Sequence, residues 1–385
     1  MVKVSVLGST GSIGTSTLDV ISRLGRSFAV AGLAAGKNIP LLSEQIERFR
    51  PGLVSVERRE DAVSLRSRFR GRGLRVAFGP EGAEEVASLP ANDIVVAAIT
   101  GTNGLRPTLA AVRAGVRVAL ANKESMVVAG ALLRAAAARS GAKIIPVDSE
   151  HSALFQSMVG HDRRHIRRLI LTASGGPFFS RRPEELLAVT PEEAVKHPRW
   201  NMGKKISVDS ATLMNKALEI IEARWLFDVP GSRIAVLIHP QSIVHSMVEY
   251  IDGSIVAQLG VTDMRTPIAY ALAYPERIED SSRRLDLAGI GGGLTFFEAD
   301  EGRFLPLALA REALDRAGTM PAVLSAANEA AVELFLARKI PFPSIVTSVQ
   351  AVMKGHETKK DPSLSDLIEV DRWAREQINR IGERI

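Results

Sequence analysis

The stretch Val2-Lys3-Val4-Ser5-Val6-Leu7-Gly8-Ser9-Thr10-Gly11-Ser12-Ile13-Gly14 decides how the rest of the chain is read. Val2–Leu7 has the alternation of a strand, and Thr15–Leu24 has the period of a helix. Glycines between a strand and a helix let the backbone turn tightly and approach a pyrophosphate. The phosphate charge then meets the open N–H groups of the helix start. The spacing G-x-x-G-x-x-G is not the commoner G-x-G-x-x-G, and a plain tight turn is the bland alternative. The flanking strand and helix favour dinucleotide binding.

Working outward, strand-like runs recur at Phe28–Leu33, Leu53–Val56, Ile94–Ile99, Val116–Ala121 and Lys143–Val147. Helical stretches such as Leu41–Phe49 and Ala129–Ser140 lie between them. Strands alternating with helices predict a parallel sheet covered on both faces. The second strand runs into Ala34-Ala35-Gly36-Lys37-Asn38 and carries no acid to bind a ribose 2′-hydroxyl. Lys37 suits a 2′-phosphate, with Asn38 as a donor, so NADPH is expected over NADH. A solvated loop lysine is the alternative. Ala119-Leu120-Ala121-Asn122-Lys123-Glu124-Ser125 ends a strand on the ligand-binding edge of such a sheet. An Asn-Lys-Glu triplet suits helix capping equally well.

From Asp148 to about Tyr274 the pattern changes. A helix (His151–Val159), a strand (Arg168–Ala173), a polar loop and a helix (Ser210–Leu226) lead to β-rich sequence. Ile234–Ile238, Ile243–Tyr250 and Ile255–Leu259 read as strands, the last two joined by Asp252-Gly253 as a hairpin. The domains expected are 1–147 for nucleotide binding, 148–274 as an α+β centre, 275–300 as linker, and 301–385 as a helical tail. The tail's helices are expected at Leu305–Ala317, Ala322–Arg338, Pro343–Lys354 and Leu364–Ile381.

Asp148 and Glu150 stand two apart, and in extended backbone their side chains point to one face. Two adjacent like charges call for a cation, and oxygen donors suit Mg²⁺ or Mn²⁺. A helix start capped by Asp148 or Ser149 is an even alternative. In the helix from Asp209, the residues Met214, Leu218, Ile221 and Trp225 form a core stripe. Asn215, Glu219 and Glu222 share another face, with Lys216 at its flank. They form either a solvated polar face or a third metal carboxylate with donors for an anion. Spacing does not choose between Glu219 and Glu222. Ser210 is near the helix start, and Ser174 follows a strand in Ser174-Gly175-Gly176-Pro177. The segment His197-Pro198-Arg199-Trp200-Asn201-Met202-Gly203-Lys204-Lys205 has the makings of a lid.

The chain of 385 residues contains no cysteine, which removes disulfides, thiolate metal sites and a cysteine nucleophile. The net charge of +6 suits phosphorylated ligands. The basic run Arg66, Arg68, Arg70, Arg72 and Arg75 has one aromatic neighbour, Phe69, and reads as solvated surface rather than a nucleic-acid site. No apolar run is long enough for a membrane span. With a strand pattern from Val2, no leader is expected, and the protein is expected in the cytoplasm.

Six motifs in order resemble the 1-deoxy-D-xylulose 5-phosphate reductoisomerases over essentially the whole chain. They begin at Gly8, Leu120, Pro146, Thr172, His197 and Val208. The resemblance implies an α/β fold with a Rossmann-like parallel-sheet NADPH domain, a central α+β catalytic domain and a C-terminal helical domain. It implies one divalent cation (Mg²⁺, Mn²⁺ or Co²⁺) held by Asp148, Glu150 and Glu219. Substrate phosphate is implied at Ser174, Ser210, Asn215 and Lys216. Ser149, Glu150, Lys123 and His197 are implied at the polyol end, with Lys123, Glu150 and His197 as the catalytic set. Trp200 and Met202 would close over the substrate. NADPH would be held by Thr10, Gly11, Ser12, Ile13, Gly36, Lys37, Asn38, Asn122, Glu124 and Gly203. A phosphorylated sugar substrate and a homodimer using the central β region are implied as well. The alternatives kept are a non-catalytic NADPH-binding sensor and an NADPH dehydrogenase of homoserine dehydrogenase type. A semialdehyde dehydrogenase is excluded by the missing cysteine.

Overall fold

The computed structural model describes residues 1–200, 202–279, 284–302 and 304–383. Asn201 of the lid motif and residues 280–283 of the expected linker fall outside these.

The chain opens with β1 (Val2–Leu7), α1 (Ser12–Arg23), β2 (Phe28–Ala34), α2 (Ile39–Phe49), β3 (Leu53–Val56), α3 (Arg59–Arg68) and β4 (Arg75–Phe78). It continues through α4 (Gly79–Ala87), β5 (Ile94–Ala97), α5 (Leu105–Arg113), β6 (Arg117–Leu120), α6 (Lys123–Ser140), β7 (Ile144–Pro146) and α7 (Ser149–Met158). Then come β8 (Ile166–Ala173), α8 (Pro191–Ala194), α9 (Lys204–Thr212), α10 (Met214–Phe227), β9 (Ile234–Ile238), β10 (Val244–Tyr250) and β11 (Ile255–Leu259). The last elements are α11 (Arg265–Ala273), β12 (Phe297–Glu298), α12 (Leu305–Arg316), α13 (Met320–Leu336), α14 (Phe342–Lys354) and α15 (Leu364–Gly382).

These elements form two compact units, Met1–Ser125 with Ala131–Ser152 and Asp263–Ser282, and Met126–Gly130 with Ala153–Thr262 and Arg283–Ile385. The first unit is built on a seven-stranded sheet in the order β4-β3-β2-β1-β5-β6-β7, every pair parallel. Val4 to Leu7, β3 and β5 are buried at every position. Neighbouring side chains of a strand point to opposite faces, so continuous burial means both faces are covered. The order reverses direction beside β1, and open α/β sheets bind ligands outside the strand carboxyl ends at that point. The helix α11 packs back onto α1, β6 and β7. Its first residue, Arg265, meets Asp263 at 2.5 Å and Asp19 of α1 at 3.5 Å.

The expected strands of this sheet are present, and β4 is an addition. Its short run Arg75–Phe78 emerges from the basic segment, where charge hides the strand signal. The guanidinium-bearing residues Arg66, Arg68, Arg70, Arg72 and Arg75 are all exposed, as expected of a solvated surface.

The second unit carries a mixed five-stranded sheet in the order β11-β10-β8-β9-β12. β8 pairs parallel to β9, and the remaining pairs are antiparallel. The expected hairpin joins β10 to β11. One large apolar core runs from β8 and α10 into α12, α13, α14 and α15. The single helix expected from Asp209 is in fact two. It breaks at Leu213, which takes a left-handed backbone (φ 62°), a conformation that costs a residue bearing a side chain. The helical period continues across this joint, so periodicity does not reveal it. Among the described residues, no helix is long and apolar enough to cross a membrane.

Candidate active site

In the first unit, the glycine loop closes as the strand-to-helix reading expects. The Gly8 and Ser9 N–H groups donate to Ala34 O at 2.8 and 2.9 Å, tying the loop to the end of β2. Gly14 is required by close approach: a Cβ there would lie 2.2 Å from Gly8 O. The start of α1 has no side-chain cap and no acid in its first turn, so no side chain there competes for the helix-start N–H groups. Thr10, Gly11, Ser12 and Ile13 all lie in this turn. Gly36, Lys37 and Asn38 follow β2 and are exposed. Asn38 also caps α2, accepting from Leu41 N at 3.2 Å. Glu57, just past β3, comes near Gly36, where a Cβ would lie 3.6 Å from its carboxylate. That acid belongs to another strand, so scanning the end of β2 does not find it.

Asn122 is buried at the N-cap of α6, as the capping reading expects. Its Oδ1 accepts from Ser125 N at 2.9 Å, and its Nδ2 donates to Gly101 O at 3.1 Å and to Glu124 Oε2 at 3.0 Å. Capping thereby fixes Lys123 and Glu124 in the first turn of the helix. The Lys123 ammonium, itself buried, reaches Asp148 Oδ2 at 2.9 Å.

Asp148 stands at the start of α7, with its carbonyl accepting from Ser152 N at 2.8 Å. Glu150 is therefore in a first helical turn, and the extended-backbone reason for grouping it with Asp148 does not apply. The two carboxylates nonetheless offer oxygens within 4.8 Å of one another. Ser149 donates through its hydroxyl to Glu150 Oε2. His151 is wholly buried, with Nδ1 3.7 Å from Asp148 Oδ2. Burial alone would push the Asp148 carboxyl up; Lys123 and then His151 outweigh it and hold the group well below the usual carboxylate range. It stays an anion in a dry place, the state a hard cation requires. His151 was not singled out from sequence, although its place three residues after Asp148 in a helix is the available signal.

In the second unit, Ser174 follows β8 directly and its Oγ is 2.8 Å from His197 Nε2. His197 Nδ1 accepts from the N–H groups of Arg199 at 3.1 Å and Trp200 at 2.9 Å. A ring nitrogen meeting two backbone donors offers its lone pair, so Nε2 carries the proton and donates to Ser174. The loop after Ser174 passes against α9: Gly176 has φ 69°, and a Cβ there would lie 2.7 Å from Ser210 O. That contact seats the Ser174 turn on the last turns of α9, which carry Ser210. Trp200 is half-buried, with its ring 6.2 Å from that of His245. His245 is a second histidine that sequence reasoning missed. Met202 and Gly203 precede α9, whose N-cap is Gly203.

The helix α10 decides between a solvated face and a functional one. Met214, Leu218 and Ile221 are core, as expected, and Trp225 packs against that core. Lys216, Glu219 and Glu222 are also buried, at 3%, 0% and 1% exposure, so the solvated-face reading fails. Lys216 Nζ lies 2.5 Å from Glu219 Oε2, and Asn215 Nδ2 donates to Glu219 Oε1 at 2.6 Å. Stability alone gives little reason to bury such charges, since well-packed apolar residues often serve as well. Charged groups held dry near one another mark a candidate functional site.

The fold and these side chains define a dinucleotide-binding α/β protein with carboxylates able to hold a cation and a helix that carries buried charges. Comparison with known proteins narrows the class. The chain matches the family described as 1-deoxy-D-xylulose 5-phosphate reductoisomerase over residues 4–130. It matches that family's two C-terminal domains over residues 144–227 and 259–377. The reductoisomerase of Chlorobium phaeobacteroides is 53% identical over 384 residues, covering 100% of both chains. That of Chlorobaculum tepidum is 52% identical over 381 residues, covering 99% of this chain and 100% of its own. Among solved structures, the Zymomonas mobilis enzyme in complex with NADPH superposes with a TM-score of 0.93 at 43% identity, covering 100% of both chains. A reductoisomerase with NADPH, fosmidomycin and magnesium also reaches 0.93, at 40% identity, covering 100% of this chain and 98% of its own. The chain belongs to the 1-deoxy-D-xylulose 5-phosphate reductoisomerase family.

Proposed function

We propose that this chain rearranges 1-deoxy-D-xylulose 5-phosphate and reduces the product to 2-C-methyl-D-erythritol 4-phosphate, with NADPH and one divalent cation. The step belongs to non-mevalonate isoprenoid biosynthesis. Likeness to curated reductoisomerases over the full length of both chains carries this reading. It favours catalysis over an NADPH sensor or a dehydrogenase of the homoserine type. Buried charges on α10 and around Asp148 support it independently.

We assign the cation to Asp148, Glu150 and Glu219, a hard oxygen set suited to Mg²⁺, Mn²⁺ or Co²⁺. Such an ion supplies Lewis-acid polarisation of the substrate's ketone and adjacent hydroxyl oxygens. Lys123 keeps Asp148 ionised and, with Ser149, Glu150 and His197, contacts the polyol. Ser174, Ser210, Asn215 and Lys216 hold the phosphate, far from the reacting carbons, so that its binding energy orders the rest of the substrate. The His197 N–H orients the Ser174 hydroxyl. Trp200 and Met202 close over the bound sugar and exclude water.

NADPH, the hydride donor, is assigned to Thr10, Gly11, Ser12, Ile13, Gly36, Lys37, Asn38, Asn122, Glu124 and Gly203. The glycine cradle and the uncapped start of α1 fit its pyrophosphate.

We infer a homodimer formed through the second unit's sheet, whose edge strand β11 and its turn expose Ile255 and Ile251. We place the enzyme in the cytoplasm, because its phosphorylated reactants do not cross membranes unaided. The direct test follows nicotinamide absorbance with the sugar phosphate and Mg²⁺ or Mn²⁺. Substrate-dependent NADPH oxidation that stops with a chelator is expected. No oxidation, or oxidation indifferent to chelator, would overturn the reading.

A further inference from the structure

Asp209 is 1% exposed, sits in α9 immediately before Ser210, and has no part in the mechanism above. Each of its oxygens has a partner from a different place. Lys205, one turn earlier in the same helix, brings its ammonium to 2.9 Å from Oδ2. Asn328 of α13, itself 0% exposed, donates from Nδ2 to Oδ1 at 2.7 Å. A buried carboxylate is tolerated only when its oxygens are met. Lys205 cannot locate α9 against the rest of the unit, because it belongs to α9. Asn328 can.

What Asn328 locates is a joint. Three residues after Asp209 the helix ends, and Leu213 turns left-handed to launch α10. Thr212 braces the turn, its hydroxyl lying 3.2 Å from Asp209 O and accepting from Met214 N at 3.2 Å. Ser210 lies before the joint, and Asn215 and Lys216 lie after it. Their mutual placement therefore depends on how the last turn of α9 is rotated. A purely apolar contact between α9 and α13 tolerates sliding, whereas a hydrogen bond between two buried side chains does not.

We propose that Asn328, in the helical tail, is a positioning residue for the substrate phosphate, acting through Asp209 on Ser210 and the α9–α10 joint. The inference rests on the assignment of Ser210, Asn215 and Lys216 to the phosphate.

The test uses the full-length enzyme with NADPH and cation. Asn328→Ala is expected to raise the Michaelis constant for the sugar phosphate about tenfold, the loss expected from a bond to a charged group. The NADPH constant stays unchanged, and both are measured well below the thermal midpoint. Exchanging the partners, Asp209→Asn with Asn328→Asp, restores the bond and recovers most of the substrate affinity. Should Asn328→Ala not fold, Asn328→Ser keeps a donor that falls short of Asp209 and is read the same way. Equal rises in both constants, or no change in either, would overturn the proposal. Lys216→Gln serves as the reference. If it leaves the substrate constant alone, the phosphate assignment itself is wrong. If it raises that constant and the Asn328 variants do not, only the positioning role fails.

Discussion

Replacing Gly14 with alanine tests the cofactor cradle where the structure leaves least room. The added Cβ would sit 2.2 Å from Gly8 O and 2.6 Å from the Cα and carbonyl carbon of Ser9, all backbone atoms. Reaching an ordinary carbon–oxygen contact means opening the gap between loop and helix by about 1 Å. Gly8 and Ser9 are bound to Ala34 O, so the start of α1 must do the moving, and its N–H groups leave the pyrophosphate. Overpacking of this kind costs roughly 1–3 kcal/mol. Borne by the bound state, that is about a 5- to 150-fold rise in the NADPH dissociation constant. The assay is a fluorescence titration of NADPH, with the substrate constant measured at saturating NADPH. Gly52→Ala is the control, because a Cβ there lies 3.9 Å from Ala31 O, an ordinary contact. A folded Gly14→Ala enzyme whose NADPH constant moved less than about twofold would refute the reasoning.

Two further substitutions test other parts of the account. Lys37→Glu is expected to raise the Michaelis constant for NADPH at least about tenfold more than that for NADH, because only NADPH carries a 2′-phosphate to be repelled. Equal effects on both cofactors would remove Lys37 from the 2′-phosphate. Trp200→Ala is expected to raise the substrate constant at least about tenfold with the thermal midpoint nearly unchanged. A fall in midpoint without a kinetic effect would make Trp200 a packing residue.

Local signals made much of the fold legible. Alternating strands and helices, and glycines between β1 and α1, announce a parallel sheet and its ligand edge without any long-range information. Three features lie beyond such signals. The strand β4 emerges from a charged segment that masks its short apolar run. The joint at Leu213 keeps the helical period on both sides and is imposed by tertiary contacts. The return of α11 to the first sheet depends on pairing across the whole chain, through Arg265 and Asp19.

The groups of the candidate site were legible as motifs but not as environments. Lys216 and Glu219 read equally well as a surface pair, and burial alone excludes that. Glu57 near Gly36, His151 beside Asp148, and Asn328 on Asp209 are partners that sequence offered weakly or not at all. In two of the three, the partners come from different strands or helices.

The proposed chemistry turns on one cation shared by Asp148, Glu150 and the distant Glu219. Crystals grown with Mn²⁺ and NADPH, measured at the manganese absorption edge, address this directly. One anomalous peak is expected, with an oxygen of each of Asp148, Glu150 and Glu219 at about 2.1 Å. A peak held without Glu219, or carboxylates too distant to share an ion, would contradict it.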